Sequence, residues 1–189
     1  EISIELHPLR CEILLRTLRC DFSTKPYKDQ KLTDVKVYLT HANASSSIMP
    51  DCSPPCYRLI NPGMLDMKNL ECFLERELIV QEIADEIGSD PVKTDCSLFC
   101  YGNEPEKESI GSPFTRVVIE GKIDGDVYYY PIKINPEGGG VKSGCRYVLD
   151  IVITKAGAVD PDGGLEETAI EIITETEEWK EKDWYDIRF

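Results

Sequence analysis

Residues 115–153 constrain the fold most, because they hold three β-runs joined by turn chemistry and no catalytic grouping. Thr115–Glu120 and Tyr128–Ile134 are rich in β-branched and aromatic side chains and flank Asp124-Gly125-Asp126, a short glycine-containing hairpin signal. Tyr147–Thr154 follows after a flexible Glu137–Gly144 connection. A meander of this kind builds a sheet that presents surface. The expected class is all-β: a sandwich of seven or more mostly antiparallel strands.

The totals agree with a globular chain. At 189 residues, 41% apolar and 30% charged, the sequence has enough material for a core without staples. No stretch approaches the ~18 consecutive apolar residues of a membrane helix. Residues Glu1–His7 alternate apolar and polar and carry acids, so they read as a strand and not as a signal peptide. The net charge of −14 repels phosphate backbones, which removes the electrostatic drive for nucleic-acid binding. Solubility is the plain reading of that excess.

Cysteine usage is unusual. Eight cysteines allow on the order of a hundred pairings, and an even count favours an oxidising compartment. Cys11 alternates with Ile13 and Leu15, and Cys20 sits between Leu18 and Phe22, so both read as small hydrophobes in core positions, either free or paired. Cys52 and Cys56 enclose Ser53-Pro54-Pro55, whose two prolines force a tight turn and favour a local bridge over a zinc site. His7 and His41 are the only imidazoles, and neither lies beside the cysteine pairs.

Along the chain, Arg10–Phe22 is a long β-run whose apolar positions change phase near Thr17, from 11/13/15 to 18/20/22. Such a shift predicts a bulge or a move between sheets. Asp34–Thr40 and Cys96–Tyr101 are further strands, Ala42–Pro55 is a surface loop, and Glu167–Glu177 and Trp184–Phe189 close the chain as strands. Residues 57–95 break the rhythm. Leu70, Phe73, Leu74, Leu78, Ile83 and Ile87 approximate helical spacing, with Asn69 or Asp66 as a cap and Gly88 as a stop. The expectation is one helix near 69–88, within a helical and loop insertion at 57–95 of a single β-sandwich domain spanning 1–189.

No nucleophile constellation can be assembled. Ser45-Ser46-Ser47 lies in a polar loop without a G-x-S-x-G elbow, and His41 near it reads as a surface histidine. Gly138-Gly139-Gly140 lacks the Lys-Ser/Thr of a phosphate-binding loop and precedes a strand. The chain is therefore read as a non-enzyme with no cofactor. Alternate acids in Asp160-Pro161-Asp162-Gly163-Gly164 make Asp160 and Asp162 weak candidates for a hard cation, although turn residues alone explain the segment. Tyr128-Tyr129-Tyr130 places Tyr128 and Tyr130 on one face of a strand and Tyr129 on the other. Tyr128 and Tyr130 are weak candidates for a carbohydrate or protein contact, and sheet packing is the plainer alternative. Trp179 and Trp184 read as seals on the sandwich edge.

The order of features is more specific than any one of them. Leu9-Arg10-Cys11-Glu12-Ile13 is followed by Val35–Asn43, then Leu98-Phe99-Cys100-Tyr101-Gly102-Asn103-Glu104, then Thr115–Gly121. Tyr129-Tyr130-Pro131-Ile132, Cys145–Ile151, Ala156-Gly157 and Glu178-Trp179 complete the series. This order resembles the C-terminal domain of Bacteroidales fimbrillins, the pilin, tip and anchor subunits of donor-strand fimbriae, over most of the chain except roughly 55–95. The resemblance implies a transthyretin-like β-sandwich carried to the outer membrane and cell surface through a lipoprotein signal. It implies other fimbrial subunits as partners, joined by strand exchange, with host or bacterial surface glycans or proteins as further contacts. A longer parent, of which this is the second domain, is the matching expectation. The cysteine richness and the changed order at Cys145-Arg146-Tyr147 depart from the family pattern. A carbohydrate- or ligand-binding module of a surface system, using the tyrosine strand, is the alternative.

Overall fold

The structure, a computed structural model, describes residues 8–23, 25–48, 59–63, 79–163 and 170–178. Among these residues ten strands form two packed sheets: β1 (Arg10–Cys20), β2 (Leu32–Thr40), β3 (Ala42–Asn43), β4 (Leu59–Ile60), β5 (Gln81–Ile87), β6 (Val92–Tyr101), β7 (Arg116–Ile123), β8 (Asp126–Lys133), β9 (Cys145–Ile153) and β10 (Ile170–Glu178). One sheet has the order β10-β9-β1-β6-β3-β4 and the other β5-β2-β7-β8. All pairings are antiparallel except β1 with β9. The chain is all-β, and no helix occurs among the described residues.

The meander falls where the turn chemistry places it. Asp124 and Gly125 form the two-residue loop between β7 and β8, with φ of 53° and 91°. Two successive left-handed residues match the right-handed twist of a hairpin, which is why an Asp-Gly pair is read as one. Inward-facing side chains from both sheets make one core that includes Ile13, Leu18, Val37, Ile119, Tyr147 and Ile151. Each such aliphatic side chain, taken fully from water, contributes about 1.5–3 kcal/mol.

The phase change near Thr17 is a bulge. Leu15 pairs with Leu149 and Thr17 with Asp150, so Arg16 is the extra residue on β1. The bulge lets Cys11, Ile13 and Leu15 before it and Leu18, Cys20 and Phe22 after it all point into the core.

The helix near 69–88 requires a correction. Residues 69–78 lie outside the described residues, and residues 81–87 form β5, antiparallel to β2. Ile83 and Ile87 are four apart, a spacing that is near one helical turn and also a multiple of the strand period. Pairing with β2 decides between them. Within the 57–95 insertion, β4, β5 and the start of β6 continue the sandwich. The loop expected at Ala42–Pro55 likewise opens with the short strand β3. Residues Glu1–His7, Cys52, Cys56, Trp179 and the strand expected at Trp184–Phe189 lie outside the described residues.

Candidate functional site

Three places gather the side chains with chemical potential: the tyrosine strand, the corner at His41, and the β10 edge. On β8, Tyr130 is fully buried and its hydroxyl donates to the Lys155 carbonyl at 3.1 Å. Burial pushes its phenol well up from the ordinary value. Tyr128 packs partly against the core, and its hydroxyl lies 3.3 Å from that of Tyr27, whose ring meets it edge-on at 6.2 Å. That hydrogen bond raises the Tyr128 phenol to about 12. Tyr129 points the other way, and its backbone exchanges two hydrogen bonds of 2.8 Å with Ala158. Both sequence candidates thus sit on the core side of β8, and Tyr130 is wholly engaged in packing.

His41 is not on the surface. It is 1% exposed and adopts a φ of 54° at the point where the chain leaves β2 in one sheet and enters β3 in the other. Its carbonyl accepts from Thr115 Oγ1 at 3.1 Å and from Asn103 Nδ2 at 3.3 Å, so residues following β6 and preceding β7 both close on the crossing. Its ring Nε2 lies 2.9 Å from Asp162 Oδ1. The sequence gives no signal for this burial, because Asp162 is distant along the chain and the crossing is a tertiary event. A depression of about 290 Å³ lies beside it, lined in part by His41, Asn43, Asn103, Glu104 and Ser112.

Asp160 and Asp162 are brought to this same corner by different bonds. Asp160 Oδ1 accepts from the Asp162 N–H at 2.7 Å, and its carbonyl accepts from Gly163 N–H at 3.0 Å, an Asx-type turn. Asp162 turns its carboxylate to His41 and its carbonyl to Arg116 Nη1 at 3.3 Å. Arg116 also donates to Glu108 at 2.9 Å. Burial raises the Glu108 carboxyl, but Lys133 and Arg116 together outweigh it and hold the group below the usual carboxylate range. Among the described residues no group of three or more His, Cys, Asp or Glu side chains is arranged to hold a metal ion.

The third place is the edge of the larger sheet. Among the described residues β10 pairs with β9 on one side and is the terminal strand of the six-stranded sheet. Its core-side residue Ile172 is 38% exposed, and Ile173 on the outer side is 65% exposed. Two arginines tie β10 down on the outer face. Arg16 Nη2 reaches Asp150 and Glu175, the latter at 3.0 Å, and Arg146 lies 3.1 Å from Glu12 and 3.7 Å from Glu177. The register places outward-facing Leu14 and Val148 between these two charged rows.

Comparison with solved structures gives this architecture a context. The chain aligns with the crystal structure of a fimbrilin (fimA) from Porphyromonas gingivalis W83 with a TM-score of 0.67 and 14% identity, over 92% of this chain and 58% of that one. A candidate cell adhesion protein from Bacteroides eggerthii DSM 20697 aligns at 0.62 and 12% identity, over 90% and 56%. A second candidate adhesion protein, from Parabacteroides distasonis ATCC 8503, aligns at 0.54 and 13% identity, over 92% and 52%. The chain therefore has the fold found in fimbrilin and cell adhesion structures, and it spans little more than half the length of each. No family model matches the sequence, and no curated protein matches it either.

Proposed function

We propose that this chain is a transthyretin-like β-sandwich domain of an adhesive, structural subunit of cell-surface fimbriae. The observation that carries the reading is the fold likeness to fimbrilin at a TM-score of 0.67 over 92% of the chain. The share of the fimbrilin chain that is matched, 58%, fits a second domain within a longer parent. Such a parent would be exported as a lipoprotein to the outer membrane of a Bacteroidales cell.

The proposed partners are other fimbrial subunits, joined by β-strand exchange. An edge strand offers a row of backbone donors and acceptors to an incoming strand, and alternate side chains then set specificity. β10 supports that reading as an edge whose core-facing side is only partly covered among the described residues. The test is direct. Sedimentation of the purified chain, with anisotropy of labelled strand peptides, should report self-association or saturable peptide binding. A saturable tyrosine and tryptophan fluorescence response to glycans with neither of those would overturn the assembly reading in favour of a glycan-binding module.

A further inference from the structure

Three of the buried cysteines lie in one row across the larger sheet. Cys11 on β1 stands directly opposite Cys100 on the antiparallel β6. Cys145 opens β9 on the other flank of β1, one residue before the Glu12–Arg146 pair. All three are free thiols, and Cys11 and Cys100 are 0% and 3% exposed on the core side. Among the described residues Cys11 and Cys100 are the one register pair made of two cysteines. Cys96 faces Leu15 and Cys20 faces Ile153.

We propose that oxidation joins Cys11 and Cys100 in a disulfide across β1 and β6, leaving Cys145 as the neighbouring thiol. Opposed Cα atoms of an antiparallel pair lie about 4.5–5.5 Å apart, inside the roughly 4.4–6.8 Å that a disulfide spans. The bond therefore asks for a side-chain rotation and no rearrangement of strands. The Cys11 thiol donates to the Lys142 carbonyl at 2.9 Å, and closeness to Cys11 together with burial pushes the Cys100 thiol well up. One of the two, as its thiolate, attacks a disulfide oxidant such as glutathione disulfide and displaces one glutathione thiol. The other cysteine then loses its proton, attacks the first cysteine's sulfur and displaces the second glutathione thiol. Two protein thiols become one disulfide and the oxidant is reduced to two thiols. Because both sulfurs are shielded in the folded chain, the exchange belongs to folding or to local opening of the sheet.

Refolding the full chain from denaturant in a glutathione/glutathione disulfide buffer, followed by alkylation, digestion and mass spectrometry, tests this. The expected result is a linked Cys11–Cys100 peptide pair, with both residues lost from the alkylated pool. The link should persist in Cys145→Ala and vanish in Cys100→Ala. Alkylation of both Cys11 and Cys100 in the wild-type chain, or a link from Cys11 to Cys145 or to any other cysteine, overturns the proposal. The wild-type peptide map decides the question even if a variant fails to fold.

Discussion

Gly121 of β7 faces Leu32 of β2 so closely that a Cβ built on the glycine would lie 2.5 Å from Leu32 Cγ. Gly121 occupies the core side of its strand, between Ile119 and Ile123, and Leu32 is fully buried. The missing side chain is thus the space into which the leucine packs. Gly121→Val should destabilise the fold by about 1–3 kcal/mol through overpacking. Leu32→Ala alone should cost about 2–5 kcal/mol through the cavity it leaves. The double variant should cost less than the two together, because the valine fills what the leucine vacates. Urea unfolding of the four proteins measures this, and strict additivity would show that the two positions do not share the space.

Asn61 ties the short β4 segment to the smaller sheet. It is 2% exposed, and its Nδ2 donates to the Leu39 carbonyl at 2.9 Å and to the Ile79 carbonyl at 3.0 Å, while its Oδ1 accepts from the Ile79 N–H at 2.8 Å. Its φ of 43° is one that asparagine tolerates better than most residues. Asn61→Leu keeps the size and leaves three backbone groups without their side-chain partner, a loss of about 2–4 kcal/mol. Asn61→Asp keeps the acceptor but sets a carboxylate against two carbonyls, and should destabilise comparably. A denaturation midpoint unchanged in either variant would contradict the bonding pattern.

Acid should weaken the contact between β1 and β9. The Arg16 guanidinium, followed by the Thr17 hydroxyl at 2.6 Å, holds the Asp150 carboxyl below the usual carboxylate range despite its partial burial. A folded-state value below the unfolded one gives stability that is present above about pH 4 and lost as pH falls through the folded value. With Arg16 39% and Asp150 23% exposed, screening limits the contribution to about 0.5–1 kcal/mol. Asp150→Asn should lose that amount at pH 7 and show a shallower fall in stability below pH 4 than the wild type. An acid limb of unchanged slope would assign the pH dependence to other carboxylates, with Glu108 next in line.

The parts of the fold legible in the sequence are those governed by local rules. Alternation and β-branching marked β1, β2, β6, β7, β8, β9 and β10, and the phase change at Thr17 marked the bulge at Arg16, because each depends on residues a few positions apart. The tyrosine strand was legible in the same way, since alternation alone sends Tyr128 and Tyr130 to one face. The two-residue strands β3 and β4, the strand β5 and the burial of His41 were not. Ile83 and Ile87 satisfy helix and strand spacing equally, and β2 supplies the deciding backbone partners. His41 is buried by a sheet-to-sheet crossing and by Asp162, and neither leaves a trace in the neighbouring residues. Partnered corners of this kind depend on topology, which hydrophobic periodicity does not encode.

The β7–β8 turn separates backbone strain from packing. A Cβ on Gly125 would meet nothing within 4 Å, so space is no obstacle to a side chain there, and the φ of 91° is the whole difficulty. Gly125→Ala should therefore cost about 1–2 kcal/mol through the left-handed backbone alone. Asp124, at a φ of 53°, precedes it, and Asn-Gly is the pair that this turn favours most. Asp124→Asn should leave stability level or raise it by a few tenths of a kcal/mol. Placing the glycine one position earlier tests the geometry more sharply. Asp124→Gly with Gly125→Asn moves the permissive residue to the first position while Asn keeps some left-handed tolerance, so the double variant should fall between wild type and Gly125→Ala. Thermal unfolding of the three variants checks the ranking. If Gly125→Ala matched the wild type, the chain would be turning here with φ negative, and the β7–β8 register that pairs Ile123 with Asp126 would have to shift.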